Sequence, residues 1–239
     1  MVADFSSRGP NTIVPEIMKP NISALGVDIL ASFSQVVSPS DNEYDKIYVK
    51  YNIISGTSMS CPHVAGIAAY LKTFHLGWSP SAIKYAIMTS SKPKKVSNDE
   101  VGEYAYGSSS HVNPVHAVHP GLIYDISLDD YIQMLCNLGY DSKKIKLISG
   151  KNNSCSNATD ISLVRDLNYP AFADVKSRTT FTIKFERTIT NVFQAKSIYK
   201  ASILPNPKIK IRVVPETLAF KSLNEKQSFV LMCSKNNFH

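Results

Sequence analysis

The sequence predicts a mixed α/β first half, a helical connection and a β-sandwich at the end, and two observations lead to this prediction. The first is a change of period. Apolar residues recur at helical spacing within 58–88, whereas from Asn168 onward they alternate with polar residues, as in strands. The second is the position of the turns, because Pro205, Pro207 and Pro215 separate the alternating segments, as in a β-sandwich. The alternating apolar residues are Phe181, Ile183, Phe185, Ile209, Ile211 and Val213.

The first half is expected to contain two short strands and a long helix. Residues 27–31 and 48–54 are apolar stretches near turn-forming residues, which favours strands. Residues 58–74 carry apolar side chains at helical spacing, and the alanines and glycines among them predict a helix that is buried on most sides. Residues 106–125 are rich in Gly, Ser, His and Pro and show no clear period.

Helix-start signals predict two more helices. Ser79 followed by Pro80 is typical of an N-cap and a first helical residue, and this helix is expected to end near Thr89. Ser127 with two aspartates close behind it predicts a further helix that runs to about Leu138. The predicted buried face of the first of these helices consists of Ile83, Ile87 and Met88.

Composition argues against two classes of function. The 239 residues are 44% hydrophobic, which is enough for one large domain or two ordinary ones. The net charge of +7 comes from 26 Lys+Arg against 19 Asp+Glu, but the basic runs 92–95, 143–146 and 208–210 are short and far apart, unlike a nucleic-acid groove. No apolar run approaches the roughly 18 residues of a membrane span. We therefore expect neither a nucleic-acid partner nor a membrane span.

Four cysteines are too few for a disulfide scaffold. Cys136 and Cys155 bracket a lysine-rich stretch that we expect to be a loop, and our first hypothesis pairs these two residues. Such a bridge stabilises the fold by roughly 3 kcal/mol through loop closure. Cys61 and Cys233 have no obvious partners.

Three glycosylation sequons begin at Asn21, Asn152 and Asn157. Because sequons arise by chance, they favour secretion only weakly. The first residues, MVADFSSRGPN, lack the basic and then apolar regions of a signal peptide.

The most informative stretch is GTSMSCPHVAG, residues 56–66. It places Ser58 at the start of the long predicted helix, where backbone N–H groups and the helix dipole stabilise a developing oxyanion. A serine hydroxyl becomes a good nucleophile only when a neighbouring base removes its proton. Taken alone, Gly-Thr-Ser fits an ordinary helix N-cap at Thr57 or Ser58 equally well.

The whole eleven-residue stretch resembles the serine motif of the subtilisin-like serine proteases, Gly-Thr-Ser-Met-[Ala/Ser]-x-Pro-x-Val-x-Gly. The likeness extends over residues 3–232. Residues 4–11 resemble the substrate-cleft strand and turn of the plant, cucumisin-like branch, and residues 19–30 resemble its Lys-Pro-Asp-Ile segment. Residues 111–125 are similar to the end of its catalytic domain, and residues 166–170 are similar to the start of its fibronectin type III-like module.

This resemblance implies an organisation in three parts. Residues 1–125 are expected to be the C-terminal part of a subtilisin-like, parallel-sheet catalytic domain. Residues 126–165 are expected to form a helical connector with the disulfide loop. Residues 166–239 are expected to form a fibronectin type III-like domain that is incomplete at its C-terminus, with 233–239 as a tail unlike the family.

The resemblance also implies the chemistry. Ser58 is the expected nucleophile of a serine endopeptidase that forms an acyl-enzyme with a peptide or protein substrate and uses no metal or organic cofactor. The expected substrate-binding residues, which pair with an extended peptide through the backbone, are Phe5, Ser6, Ser7 and Gly9. An extracellular location, in the apoplast or cell wall, is implied in the same way.

The position of the first histidine leads to a different expectation for this chain alone. In subtilisin the triad follows the order Asp, His, Ser, yet the first histidine here is His63. Five positions along a helix turn His63 roughly 140° away from Ser58. The oxyanion-hole asparagine of the family also belongs to an upstream segment. The chain is therefore predicted to be inactive alone, and the alternative is a non-catalytic remnant or binding module. The other histidines of the first half, His75, His111, His116 and His119, are expected to be loop or capping residues.

Two departures from the family pattern lie in one loop. Asn21 stands where the family has Asp, and Leu25 stands where it has Pro. Proline fixes the backbone, so the rigidity of this loop is expected to differ.

Overall fold

The computed structural model of this chain describes residues 2–7, 9–40, 42, 44–93, 110–151, 155, 164–173, 180–204, 207 and 209–235. The sequons at Asn152 and Asn157 lie outside these residues. The helices are α1 (Thr57–Phe74), α2 (Pro80–Thr89), α3 (Pro114–Val118), α4 (Leu128–Asn137) and α5 (Ser142–Ser149), with a 3-10 turn at Val164–Asp166. The strands are β1 (Ile29–Ser32), β2 (Tyr51–Ile54), β3 (Lys92–Pro93), β4 (Ser110–His111), β5 (Leu122–Tyr124), β6 (Phe181–Asn191), β7 (Ile198–Lys200), β8 (Lys210–Val214), β9 (Thr217–Ala219) and β10 (Lys226–Lys235).

The predicted fold class, mixed α/β followed by a β-rich part, is confirmed. One detail differs, because every strand ladder within the described ranges is antiparallel. In the first half β1 pairs with β2 and β3 pairs with β4, and a single bridge between Ser23 and His111 is parallel. β1 and β2 follow each other along the chain without the crossover helix that parallel neighbours need.

Helix α2 is the centre of the first half. Its N-cap is Ser79, whose side chain accepts from the Ala82 N–H, and Pro80 is its first residue, as predicted. Three faces of α2 are buried. Ile83 and Ile87 pack against α1 and α3 through Leu71, Ala117 and Val118. The alanines Ala82 and Ala86 contact Ile123 of β5, and the remaining face, Tyr85 and Met88, packs against Ile126 and Tyr169.

Helix α1 has a more open environment than its sequence predicts. Of its residues only Leu71 is fully buried. Most of the small residues that suggested burial on most sides lie on an exposed face, which consists of Cys61, Pro62, Ala65, Gly66, Ala69 and Tyr70, whereas Ala68 packs against the core. That expectation is wrong for this structure, because small side chains permit close packing but do not supply the partner that packs.

The connector contains one more helix than expected. Ser127 and Asp130 form the capping box that opens α4, as the sequence signals indicate. The lysine-rich stretch, predicted to be a loop, is helix α5. Its N-cap is Asp141, whose carboxylate accepts from the Lys144 N–H, and it ends at Gly150 with φ of 68°. In the structure Cys136 and Cys155 are joined by a disulfide across this helix.

The C-terminal part is built from two antiparallel sheets. The larger has the strand order β5-β6-β10-β8 and the smaller has β7-β9. Ile189, Leu218 and Phe220 form the core between them. Strand β5, which lies within the predicted catalytic part, hydrogen-bonds to β6 and so connects the two halves. The predicted tail is partly wrong, because residues 233–235 continue β10 and pair with β6.

A group of tyrosines and lysines fills the space between α2 and the start of the C-terminal part. The side chain of Lys84 is half-buried, with its Nζ 5.3 Å from the ring centre of Tyr85 and 5.6 Å from that of Tyr169. Burial, with a smaller contribution from Lys19, lowers the pKa of Lys84 to about 8. Burial likewise raises the pKa of Tyr169 to about 12 and raises that of Tyr85.

The lowered pKa of Lys84 predicts a stability that rises with pH. Between a folded pKa of about 8 and an ordinary 10.5, the unfolded chain binds more protons than the folded one, so the free energy of unfolding increases with pH. We expect Lys84→Met to be more stable than the unmodified chain near neutral pH by about 1–2 kcal/mol, a value reduced because the ammonium is partly solvated. Urea unfolding at several pH values measures this difference.

The titrating neighbours of Lys84, namely Lys19, Tyr85 and Tyr169, are present in both the unmodified chain and Lys84→Met. The difference in the free energy of unfolding between these two proteins therefore reports the contribution of Lys84. The difference should shrink as the pH approaches about 10. Lys200→Met, at an exposed lysine, serves as the control. A stability difference that stays constant with pH would contradict the prediction.

Candidate active site

The turn that leads into Ser58 is fixed by contacts with a segment about thirty residues earlier. The Gly56 N–H donates to the Gly26 carbonyl at 2.7 Å, and the Ser60 hydroxyl donates to the Ala24 carbonyl at 3.1 Å. One residue before Gly56, the Ser55 hydroxyl accepts from the Asp28 N–H at 2.9 Å. The turn between strand β2 and helix α1 is therefore held in place by hydrogen bonds to residues 24–28.

Gly26 allows this close approach. It is buried, and a Cβ built on it would lie 2.7 Å from the Gly56 carbonyl oxygen and even closer to the Ser60 hydroxyl. The Gly56 oxygen belongs to the backbone, so the clash is relieved only by moving the turn.

We therefore expect Gly26→Ala to destabilise the fold by about 1–3 kcal/mol through overpacking. Gly66→Ala is the matched control, because a Cβ at Gly66 meets nothing within 4 Å and lies inside α1. That control should stabilise by about 0.5–1 kcal/mol through helix propensity. Urea unfolding of both variants tests the pair, and equal effects of the two substitutions would refute the packing argument.

Ser58 is the second residue of α1, and its side chain is exposed. The helix has no side-chain N-cap bond, because its N-cap is Gly56. Its first N–H groups are thus not covered by a capping side chain, and the positive end of the helix dipole lies beside Ser58. This arrangement suits a serine nucleophile, because N–H groups at the helix start can stabilise the oxyanion that forms on the attacked carbonyl group.

Pro62 and His63 follow Ser58 on the same helix. Pro62 lies in the second turn of α1, so it has no N–H to donate to the Ser58 carbonyl, which would be its helical acceptor. The His63 Nδ1 lies 2.8 Å from the Met59 carbonyl oxygen. Since a carbonyl only accepts, this nitrogen carries the proton and donates it to the backbone of its own helix. His63 is held by this bond to Met59, in keeping with the expectation that it is not the base.

Other described histidines have structural contacts. The His75 ring stacks on Trp78 at 3.6 Å, and its Nε2 lies 2.7 Å from the Val118 carbonyl oxygen. His111 is in β4, His116 is in α3, and His119 is the C-cap of α3. His75 and His119 are helix C-caps, in agreement with the predicted loop or capping roles, whereas His111 lies in a strand and His116 lies inside a helix, so the prediction is wrong for these two.

A cavity of about 410 Å³ lies beside the first turn of α1. Three of the predicted cleft residues, Phe5, Ser6 and Ser7, line it together with Thr57 and Ser60. The structure thus brings the predicted cleft segment next to the helix that carries Ser58, although Ser58 itself is not in the cavity wall. The remaining cleft candidate behaves differently. At Gly9 a Cβ would collide with the Lys19 carbonyl oxygen, so this glycine serves the packing of its own loop.

The described part of the chain presents an exposed serine at an uncapped helix start beside an open cavity. Among the described residues, no cluster of His, Cys, Asp and Glu is arranged to hold a metal ion. The described helices include none that is long and apolar enough to cross a membrane.

Sequence comparison identifies the class of protein. Residues 1–108 match the subtilase family, and residues 166–238 match the fibronectin type-III domain. The chain thus belongs to the subtilisin-like serine proteases, as its serine motif suggested. The second match reaches residue 238, which agrees with the continuation of β10 and not with an unrelated tail from residue 233.

More particularly, the chain resembles plant members of this family. It is 48% identical to subtilisin-like protease SBT4.4 of Arabidopsis thaliana over 242 residues, which is 99% of this chain and 32% of that protein. Subtilisin-like protease SBT4.6 of the same plant is 49% identical and matches 98% of this chain and 32% of its own length. Subtilisin-like protease SBT4.10 is 48% identical over 100% of this chain and 35% of its own length. The chain therefore spans about a third of the length of these relatives.

The sequence and the structure emphasise different residues of the site. The motif pointed to Ser58, whose role stays a prediction. In the sequence, Gly26 was noted only as part of residues 19–30. In the structure, it allows the turn at Gly56 to lie close to this segment. A glycine in a run of larger residues was its only sequence signal, because the contact that requires it is formed in the tertiary fold.

Proposed function

We propose that Ser58 is the nucleophile of a serine endopeptidase assembled from this chain and a longer subtilisin-like catalytic domain. The single observation that supports this best is the position of Ser58, exposed at an uncapped helix start within the serine motif of the family. The substrates would be peptides or proteins. Phe5, Ser6 and Ser7, which line the adjoining cavity, would contact the bound peptide.

The proposed reaction has two steps. The Ser58 oxygen attacks the peptide carbonyl carbon while a base takes its proton, and helix N–H groups stabilise the oxyanion. The C–N bond then breaks, and the base returns the proton to the leaving amine, which leaves an ester on Ser58. Water attacks that ester in the second step, breaks the bond to Ser58 and restores the hydroxyl. No metal or cofactor takes part in this proposal.

The base and its orienting carboxylate would come from outside these 239 residues. By the subtilisin order both precede the serine, and no histidine precedes Ser58 here. We therefore propose that the chain alone does not hydrolyse peptides. We also propose an extracellular location with glycans at Asn152 and Asn157, supported by the sequons and by the family.

A chimera tests the role of Ser58. In it, the part of SBT4.4 that precedes its matching segment is joined to residue 1 of this chain. A fluorophosphonate probe reacts with an activated serine, whose oxygen displaces fluoride from phosphorus. The chimera is expected to be labelled and to cleave a peptide substrate, and Ser58→Ala is expected to abolish both.

One control makes the result specific. Ser60→Ala removes a neighbouring hydroxyl that donates to the Ala24 carbonyl, so the chimera that carries it should retain labelling. Labelling that persists in the Ser58→Ala chimera would mean that another residue is the nucleophile. A folded chimera that is never labelled would instead favour a non-catalytic binding module.

A further inference from the structure

Lys84 occupies an unusual place for a lysine. It lies on α2, which is otherwise buried from Ser81 to Met88, and its own side chain is half-buried. Its ammonium lies near the rings of Tyr85 and Tyr169, whose centres are 5.3 Å and 5.6 Å away. Neither ring offers a negative charge, because both phenols hold their protons more firmly than usual.

The charge from another segment that acts on Lys84 has the same sign. Lys19 lowers the pKa of the Lys84 ammonium further, and burial lowers the pKa of Lys19 as well. Within the described ranges no carboxylate contributes to the pKa of Lys84. Besides burial, Tyr131 and Asp125 raise the pKa of Tyr85, and Tyr131 also raises that of Tyr169.

Asn21 places an amide, and not a carboxylate, beside Lys19 and Tyr169. Its amide oxygen accepts from the Lys19 ammonium, and its amide nitrogen donates to the Tyr169 hydroxyl. Asn21 stands where the related Lys-Pro-Asp-Ile segment carries an aspartate. An amide at this position keeps the hydrogen bonds but provides no negative charge for the two lysines.

We propose that Lys84 is a site of covalent modification by small aldehydes. A partly desolvated amine without a counter-ion is neutral in a larger fraction of molecules near neutral pH, and only the neutral amine is a nucleophile. Its nitrogen lone pair forms a bond to the aldehyde carbon, and the oxygen takes up a proton to give a carbinolamine. Loss of water then yields an imine, and addition of water reverses the sequence. The tyrosine rings would shelter the imine from hydrolysis. This proposal is independent of the role of Ser58.

Site-resolved labelling of the whole chain tests this assignment. The folded protein is treated with propionaldehyde and cyanoborohydride, whose hydride reduces each imine to a stable secondary amine, and each lysine is quantified by mass spectrometry. Lys84 is expected to react at least about tenfold faster near neutral pH than the exposed Lys200 and Lys226. Its rate should level off above about pH 8, and unfolding in urea should remove its advantage.

Asn21→Asp gives the sharpest comparison. The added carboxylate would stabilise the ammonium form and should reduce labelling of Lys84 by about tenfold, whereas Asn21→Gln should leave it nearly unchanged. Circular dichroism shows whether each variant is folded. If Lys84 in the folded chain reacts no faster than the exposed lysines, or if Asn21→Asp and Asn21→Gln have equal effects while both are folded, the proposal is wrong.

Discussion

The purified 239-residue chain is expected to cleave a fluorogenic peptide no faster than its own Ser58→Ala variant. The reason is that the proposed base lies outside these residues. In subtilisin, removal of the histidine alone lowers kcat by roughly 10⁶-fold, and loss of one oxyanion donor costs roughly 10²–10³-fold. His63, the histidine nearest in sequence to Ser58, donates to the Met59 carbonyl of its own helix and does not replace that base.

The measurement compares three proteins under the same conditions. Full-length SBT4.4 provides the positive control, and the chain and its Ser58→Ala variant are assayed at high concentration with the same peptide. Equal background rates in the last two are the expected result. Turnover by the chain that disappears in Ser58→Ala would show that a base lies within these residues, and the proposal of an external base would fail.

Elements with strong local signals were predicted correctly from the sequence. Helix α2 begins at the predicted Pro80 with the predicted cap, and α4 begins with the Ser127 capping box. Both signals act between residues three positions apart, so they do not depend on the rest of the fold. Helix α5 has comparable signals in Asp141 and Gly150. It was nevertheless predicted to be a loop, because it is rich in lysine and only one of its residues is buried.

Features that depend on distant partners were predicted less well. The exposed small-residue face of α1 is an example, because its sequence permits close packing without showing what would pack there. The predictions for the site differ in the same way. A contiguous motif pointed to Ser58, whereas the contact between Gly26 and Gly56 joins segments thirty positions apart. The position of Ser58 at the helix start was predicted from the motif, whereas only the structure shows that the N-cap is Gly56 and not Thr57 or Ser58.

The largest effect on stability is expected at Arg187, a buried cation that ties the start of the C-terminal part to strand β6. Its side chain is 3% exposed, and its Nε donates to the Tyr169 carbonyl at 2.8 Å. Its other nitrogens donate to the Glu186 carbonyl at 2.8 Å and the Arg165 carbonyl at 3.0 Å. The guanidinium also lies 5.1 Å from the ring centre of Phe172. Although burial lowers its pKa, an arginine stays charged, so these carbonyl groups stabilise a buried positive charge.

Arg187→Met is therefore expected to lower the free energy of unfolding by about 3–5 kcal/mol, because one buried and two partly buried carbonyls lose their donor at once. Arg187→Lys should cost nearly as much, since a single ammonium does not reproduce the fork that contacts separate carbonyls. Arg212→Met, at an exposed arginine on β8, should change stability by less than about 0.5 kcal/mol. Urea unfolding of the four proteins decides the matter. If Arg187→Lys proved as stable as the unmodified chain, charge alone would hold the two segments together and the geometric argument would be wrong.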